Sequence, residues 1–267
     1  DELLVAQGLI QEIYDEMQSD RREPVGMDNL IVGFKCGGSD GMSGVTANPL
    51  VGRFCDALTA MGGSGILTEV PEMFGAEQLL MNRAINKEIY EKTVDLINDF
   101  KQYFIDHNQV VYENPSPGNK EGGISTLEDK SLGCIQKGGE AMISDVIAYG
   151  ERVTERGLTL LSGPGNDIVS TTALTASGAH IILFTTGRGT PLGAPVPTVK
   201  IATNKALAEK KANWIDFDGS RVLREDWETV TEDLIALVAD IASGKVRAKN
   251  EINGYAEISI FKDGVIL

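Results

Sequence analysis

The tightest constraint on this chain is a recurring local pattern: a short apolar run breaks into a glycine-rich turn, and the turn opens into helical spacing. Residues 30–34 lead into Lys35-Cys36-Gly37-Gly38-Ser39-Asp40-Gly41-Met42-Ser43. A helix pattern follows over 48–61, with Asn48 as its N-cap and Pro49 at its first position. Residues 158–161 lead into Ser162-Gly163-Pro164-Gly165-Asn166-Asp167 and a short helix over 169–176, a weak internal echo of the first unit. Further strands are expected at 65–70, 181–185 and 198–202, and further helices at 2–19, 74–84, 86–107, 140–149 and 226–243. Strands alternating with helices predict an α/β fold, an open and mostly parallel Rossmann-like sheet with helices on both faces. Residues 108–138 crowd turn formers together, as in Asn114-Pro115-Ser116-Pro117-Gly118-Asn119 and Glu121-Gly122-Gly123. They read as a long Gly/Pro-rich active-site loop, and as the place where a single domain over 1–267 could subdivide.

Charge and cysteine usage narrow the function classes. A formal net charge of −15 repels nucleic-acid phosphates and anionic membranes, so neither is an expected partner. It would repel an anionic substrate too, so a carboxylate would have to be held by local cations or N–H groups. No stretch approaches the roughly 20 apolar residues of a membrane helix, and no secretory signal is visible. Three cysteines are too few and too odd in number for a disulfide framework, which suits a reducing cytoplasm.

In open α/β sheets ligands bind beyond the carboxyl ends of the strands, where helix N-termini present free N–H groups. Four glycine-rich segments have that placement: 36–43, 133–139, 162–167 and 185–190. Each alone is an ordinary turn in which Asp or Asn serves as a cap. Together they predict a site for an oxygen-rich anion. Cys36 and Cys134 sit among glycines and are candidate ligands of a soft metal, or else small buried residues, whereas Cys55 beside Phe54 and Leu58 belongs to a core. Glu69 and Glu72 bracket Pro71, a pairing that fits metal binding, proton transfer or simple helix capping. Lys35, Lys137, Arg188 and Lys200 are the cations placed to neutralise a carboxylate, Arg188 by a bidentate grip, and a desolvated lysine is a candidate base. Nucleotide-binding glycine motifs are absent, and two histidines give a Ser-His-Asp triad little support.

Longer strings at these same positions carry a resemblance. Cys36-Gly37-Gly38-Ser39-Asp40-Gly41-Met42-Ser43-Gly44, Leu67-Thr68-Glu69-Val70-Pro71-Glu72-Met73-Phe74-Gly75, Thr186-Gly187-Arg188-Gly189-Thr190-Pro191 and Pro197-Thr198-Val199-Lys200-Ile201-Ala202-Thr203-Asn204 resemble the altronate/galactarate dehydratase family. The Asn114–Asn119 stretch is similar to the altronate branch. The resemblance implies a hydro-lyase taking D-altronate to 2-dehydro-3-deoxy-D-gluconate and water in hexuronate catabolism, dependent on a divalent metal, Fe2+ or Mn2+. Galactarate dehydratase, a related hydroxy-acid lyase, or a non-catalytic sugar-acid-binding domain are the alternatives. It further implies an upstream domain or a separate small subunit, with this chain as the carboxy-terminal portion, and it admits a homo-oligomer. On that reading Cys36, Cys134 and Glu69 would hold the metal, Lys137 and Asp40 would be catalytic, and Ser39, Ser43, Asn48, Asn166, Arg188 and Lys200 would bind substrate.

Overall fold

Seven strands build the sheet: β1 (Ile31–Cys36), β2 (Ser64–Leu67), β3 (Ile143–Ile147), β4 (Gly157–Leu161), β5 (Ile181–Thr186), β6 (Thr198–Ala202) and β7 (Phe217–Asp218). They lie in the order β3-β4-β2-β1-β5-β6-β7, and every pairing is parallel. The computed structural model describes residues 1–262 and 264. The helices among them are α1 (Glu2–Met17), α2 (Ala47–Ala60), α3 (Glu77–Met81), α4 (Lys87–Asp106), α5 (Pro117–Glu121), α6 (Leu127–Ile135), α7 (Asp167–Ala176), α8 (Lys205–Lys210), α9 (Trp227–Ala242) and α10 (Lys249–Asn253). The expected α/β class and parallel sheet are therefore present.

Because strand side chains alternate between faces, the sheet feeds two cores. Val32 and Phe34 of β1, Leu183 of β5 and Ile201 of β6 join the larger core, with Phe54 of α2, Phe100 of α4 and Leu234 of α9. Ile66, Leu161 and Ile182 face the other way and pack with Ala173 and Leu174 of α7. With both faces covered, β5 is buried along its whole length, which is why its sequence is a continuous apolar run.

Three expectations fail locally. Residues 140–149 are not a helix, because β-branched Ile143, Val146 and Ile147 pair with β4 instead. The 108–138 stretch is not a bare loop, since α5 and α6 form within it. Ser116 caps α5 through a reciprocal box with Asn119, and Thr126 caps α6 by accepting from Asp129 N. Asn48 is not an N-cap. The helix begins one residue before it, and its side chain donates to Gly133 O at 2.9 Å and accepts from Thr185 Oγ1 at 2.6 Å. Among the described residues no helix is long and apolar enough to cross a membrane.

The chain winds from β1 to β2 on one side, then passes back from β4 to β5 on the other. That reversal places a crevice at the carboxyl ends of β1 and β5, where Cys36 and Thr185 are register partners.

Candidate functional site

Cys36 closes β1 inside that crevice, fully buried, and the surrounding loops deliver its partners. Past β2 the backbone turns through Glu69 at φ 68°, ψ 55°. A left-handed conformation costs a non-glycine residue roughly 1–2 kcal/mol and is retained where the surroundings enforce it. Here it directs the Glu69 carboxylate back onto Cys36 N at 3.0 Å, onto Lys35 Nζ, and onto Lys137 Nζ at 2.8 Å. One 3-10 turn later Glu72 reaches the same spot. Its Oε2 lies 3.1 Å from Cys36 Sγ and accepts from the Cys134 thiol at 2.8 Å, and its Oε1 pairs with Lys130 Nζ at 3.1 Å.

Helix α6 supplies the other wall. Lys130 and Cys134 lie one turn apart on it, and Lys137 follows in the 3-10 turn beyond, so all three face inward. Lys137 Nζ stands 2.9 Å from Cys36 Sγ, Lys130 Nζ donates to Ser39 Oγ at 3.0 Å, and the two sulfurs are 3.4 Å apart. Gly52 of α2 makes this seating possible, because a Cβ there would strike Gln136 O in the turn that carries Lys137. Gly37 does the same for Asp167, whose carboxylate reaches Lys35 Nζ at 2.9 Å beside the position a Cβ would take.

Charges inside this cluster set one another. Contact with the Cys134 thiol lowers the Cys36 thiol well below its ordinary value; Lys130 and Lys137 assist, against burial and Glu72. Burial pushes the Cys134 thiol up, and the neighbouring Cys36 adds to it. Burial also pushes Glu69 up to about 8, together with Cys36 and Glu72 and against Lys137 and Lys35. For Glu72 burial opposes ionisation, but Lys130, Lys137 and Lys35 overcome it and hold the carboxyl below the usual range. Desolvation works against the ammonium of Lys137 as well, yet Cys36, Glu69, Cys134 and Glu72 keep it protonated. Two carboxylates in one site are thus driven in opposite directions, the arrangement that separates an ion-holding group from a proton carrier.

Cys36, Glu72 and Cys134 offer ligand atoms within 4.8 Å of one another, a candidate metal-binding triad. Two sulfurs and one carboxylate oxygen suit a borderline-soft divalent ion and leave coordination positions open. A cavity of about 590 Å³ opens over the cluster, and Cys36, Glu72, Lys130, Asn166, Asp167 and Arg188 are among its lining residues. A second cavity, about 320 Å³, is lined by Ser39, Asp40, Ser43, Asn48, Lys130 and Cys134.

The residues singled out from sequence fall into three groups. Cys36, Cys134, Glu69, Lys137 and Ser39 converge on the cluster, although Glu69 is engaged by two lysines and it is Glu72 that faces both sulfurs. Asp40, Ser43, Asn48, Asn166 and Arg188 line the cavities while holding loops together. Asp40 accepts from Met42 N at 3.1 Å and Thr203 Oγ1 at 2.9 Å, Asn166 caps α7, and Arg188 donates to Gly118 O at 2.7 Å and pairs with Glu121 at 2.9 Å. Lys200 lines neither cavity, and its buried Nζ has no hydrogen-bond partner among the described residues. Sequence reading passed over Lys130. Its signal was the 130, 134, 137 spacing, visible only once the segment is treated as helical.

Comparison with known proteins gives the family. The family described as "D-galactarate/Altronate dehydratase, C-terminal" matches residues 27–266. Altronate dehydratase of Bacillus subtilis (strain 168) is 56% identical over 269 residues, covering 100% of this chain and 54% of that protein. The altronate dehydratase of Escherichia coli (strain K12) is 55% identical over 259 residues, covering 97% and 52%. Galactarate dehydratase (L-threo-forming) of the same organism is 37% identical over 245 residues, covering 90% and 47%. The chain spans about half the length of the curated relatives it matches. By the extent of these matches, this chain belongs to the D-galactarate/altronate dehydratase family and corresponds to its C-terminal portion.

Proposed function

We propose that this chain carries the dehydrating site of an altronate dehydratase, taking D-altronate to 2-dehydro-3-deoxy-D-gluconate and water in hexuronate catabolism. The observation that carries the reading is a buried acid–ammonium–thiol cluster at the floor of a cavity of about 590 Å³. Identity of 56% to a protein named altronate dehydratase, against 37% to one named galactarate dehydratase, favours altronate as substrate. The reaction removes the proton beside the carboxylate, expels the neighbouring hydroxyl as water, and lets the resulting enol become the keto acid. Its difficult moment is the enediolate, whose charge must be met as it forms.

Burial opposes the ammonium of Lys130, yet Cys134, Cys36 and Glu72 keep it protonated; lining both cavities, it is the group proposed to meet substrate and give a proton to the departing hydroxyl. Lys137 lies behind Cys36, bonded to its sulfur and to Glu69, and its proposed part is to hold those two in place. Asn166 and Arg188 would engage substrate oxygens from the rim and Ser39 from within the second cavity, which Asp40, Ser43 and Asn48 shape. Cys36, Cys134 and Glu72 would hold a divalent cation, Fe2+ by the softness of the thiols and Mn2+ otherwise. When bound, that ion supplies positive charge opposite the developing enediolate. Three unbridged cysteines suit a cytoplasmic setting.

Anaerobic turnover of D-altronate with added ferrous iron, measured for this chain and for the full-length protein with galactarate as comparator, tests the reading. Keto acid from altronate in either form supports it; galactarate turned over in preference overturns the substrate. Activity confined to the full-length protein would give the upstream half a share of the site. Lys130→Met should abolish kcat, and Co2+ bound by Cys36 and Cys134 should show thiolate-to-metal absorption that is lost in Cys134→Ser.

A further inference from the structure

Helix α1 buries none of its residues. Leu3, Ile10, Ile13 and Met17 recur at alternating three- and four-residue steps with Ala6 between, and Leu9 and Tyr14 flank them. The exposures are large: Leu3 79%, Ile10 66%, Ile13 59% and Met17 57%. That spacing is a seam made to lie against a helical groove. An isolated helix of 16 residues is marginal in water, so a seam of this kind gains its order from what it packs on. Arg22, in the following segment, donates to Ala242 O at 2.9 Å and ties that segment to the body, leaving α1 free.

Two observations identify the occupant. First, Asp1, Glu2, Glu12, Asp15 and Glu16 rim the helix, and no lysine or arginine lies between residues 2 and 17. A second copy would set two acidic helices together in a chain that already carries −15, so a basic-rimmed groove is the complement. Second, α1 lies before residue 27, where the match to the family's C-terminal portion starts, yet within the span aligned to the 56% identical relative. That relative has 46% of its length outside the alignment, 100% less the 54% covered. We propose that α1 is the docking helix for the upstream half of the enzyme, seating its apolar seam in an apolar groove rimmed by Lys and Arg.

The proposal rests on family membership and charge, not on the dehydratase reading, and its test reads no activity. Backbone amide exchange is followed in α1, for the 267-residue chain and for the full-length protein. Exchange about 100-fold slower in the full-length protein, with the shorter chain monomeric by light scattering, is the expected result. The double variant Ile10→Asp, Ile13→Asp should restore fast exchange in α1 of the full-length protein while the sheet stays protected, because the body makes no use of those side chains. Equal exchange in both forms, or protection in the shorter chain accompanied by a doubled mass, would overturn the proposal. So would an α1 that remains protected in the double variant.

Discussion

Lys35 on β1 and Lys200 on β6 are register partners of the same residue, Phe184, from opposite sides, so all three point to one face of the sheet. Both lysines are fully buried. Lys35 pairs with Glu69 and Asp167 and donates to Cys36 O at 2.7 Å, whereas the Lys200 ammonium meets no acceptor among the described residues. Their proton affinities diverge accordingly. Burial lowers both, but Asp167 and Glu69 more than reverse this at Lys35, while Asp216 and Glu257 do not at Lys200. Burial alone therefore does not make a site; convergence of partners does, and of these two lysines Lys35 has it.

Removing Lys35 should have the largest effect. Lys35→Met leaves Glu69 and Asp167 without their shared cation, and breaking a buried pair from one side costs about 3–5 kcal/mol. Urea unfolding should show that loss together with loss of turnover. A variant as stable as the parent would show that Lys137 alone can neutralise Glu69.

Cysteines sharpen the same contrast. Cys36 and Cys55 are equally buried, but Cys36 has its proton affinity lowered by Cys134 and the nearby lysines, while burial pushes the Cys55 thiol up. Iodoacetamide should modify Cys36 on the order of 100-fold faster at neutral pH. Because a lowered thiol stays ionised as pH falls, its rate should be nearly flat from about pH 8 to 6, where an ordinary thiol slows about tenfold per unit. Mass-spectrometric labelling that falls in step with pH at Cys36 would remove the thiolate.

At Lys200 the sign reverses. Lys200→Met removes an unpartnered buried amine and keeps the backbone N–H that donates to Asp216 Oδ2 at 2.8 Å, so stability should rise by about 1–3 kcal/mol. A lysine with a depressed folded-state value loses its stability contribution as pH falls through that value, and recovers it above the unfolded value of about 10.4. The advantage of the variant should therefore shrink as pH is raised toward about 10. If the variant instead loses sugar-acid affinity at unchanged stability, Lys200 belongs with the substrate residues.

What could be read in advance follows the same division. The sheet was legible because β1, β4 and β5 are largely apolar runs ending at Gly-rich turns, and a strand buried on both faces leaves that trace in any single sequence. Cys36, Cys134 and Glu69 were legible through the glycine-rich and turn-forming strings around them. Lys130 was not, because the turn formers at 114–123 masked the short helices that follow, and one helical face is what joins it to Cys134 and Lys137. Residues 140–149 misled in the opposite sense. Glu140, Ala141 and Met142 favour a helix locally, and only the tertiary pairing of Ile143 with Leu158 decides against it.

Arg188 and Glu121 give the smallest expected effect and the finest probe of the crevice. Their side chains are 50% and 76% exposed, so their 2.9 Å pair contributes under about 1 kcal/mol, and Glu121→Gln should leave stability nearly unchanged. The donation from Arg188 to Gly118 O at 2.7 Å keeps the guanidinium over the cavity in that variant. If a substrate carboxylate uses the same guanidinium, Glu121 competes with it, and removing the competing charge frees about 0.5–1 kcal/mol for binding. Steady-state kinetics should then show KM lowered about two- to fivefold with kcat unchanged. An unchanged KM would mean that Arg188 holds α5 in place and does not touch the sugar acid.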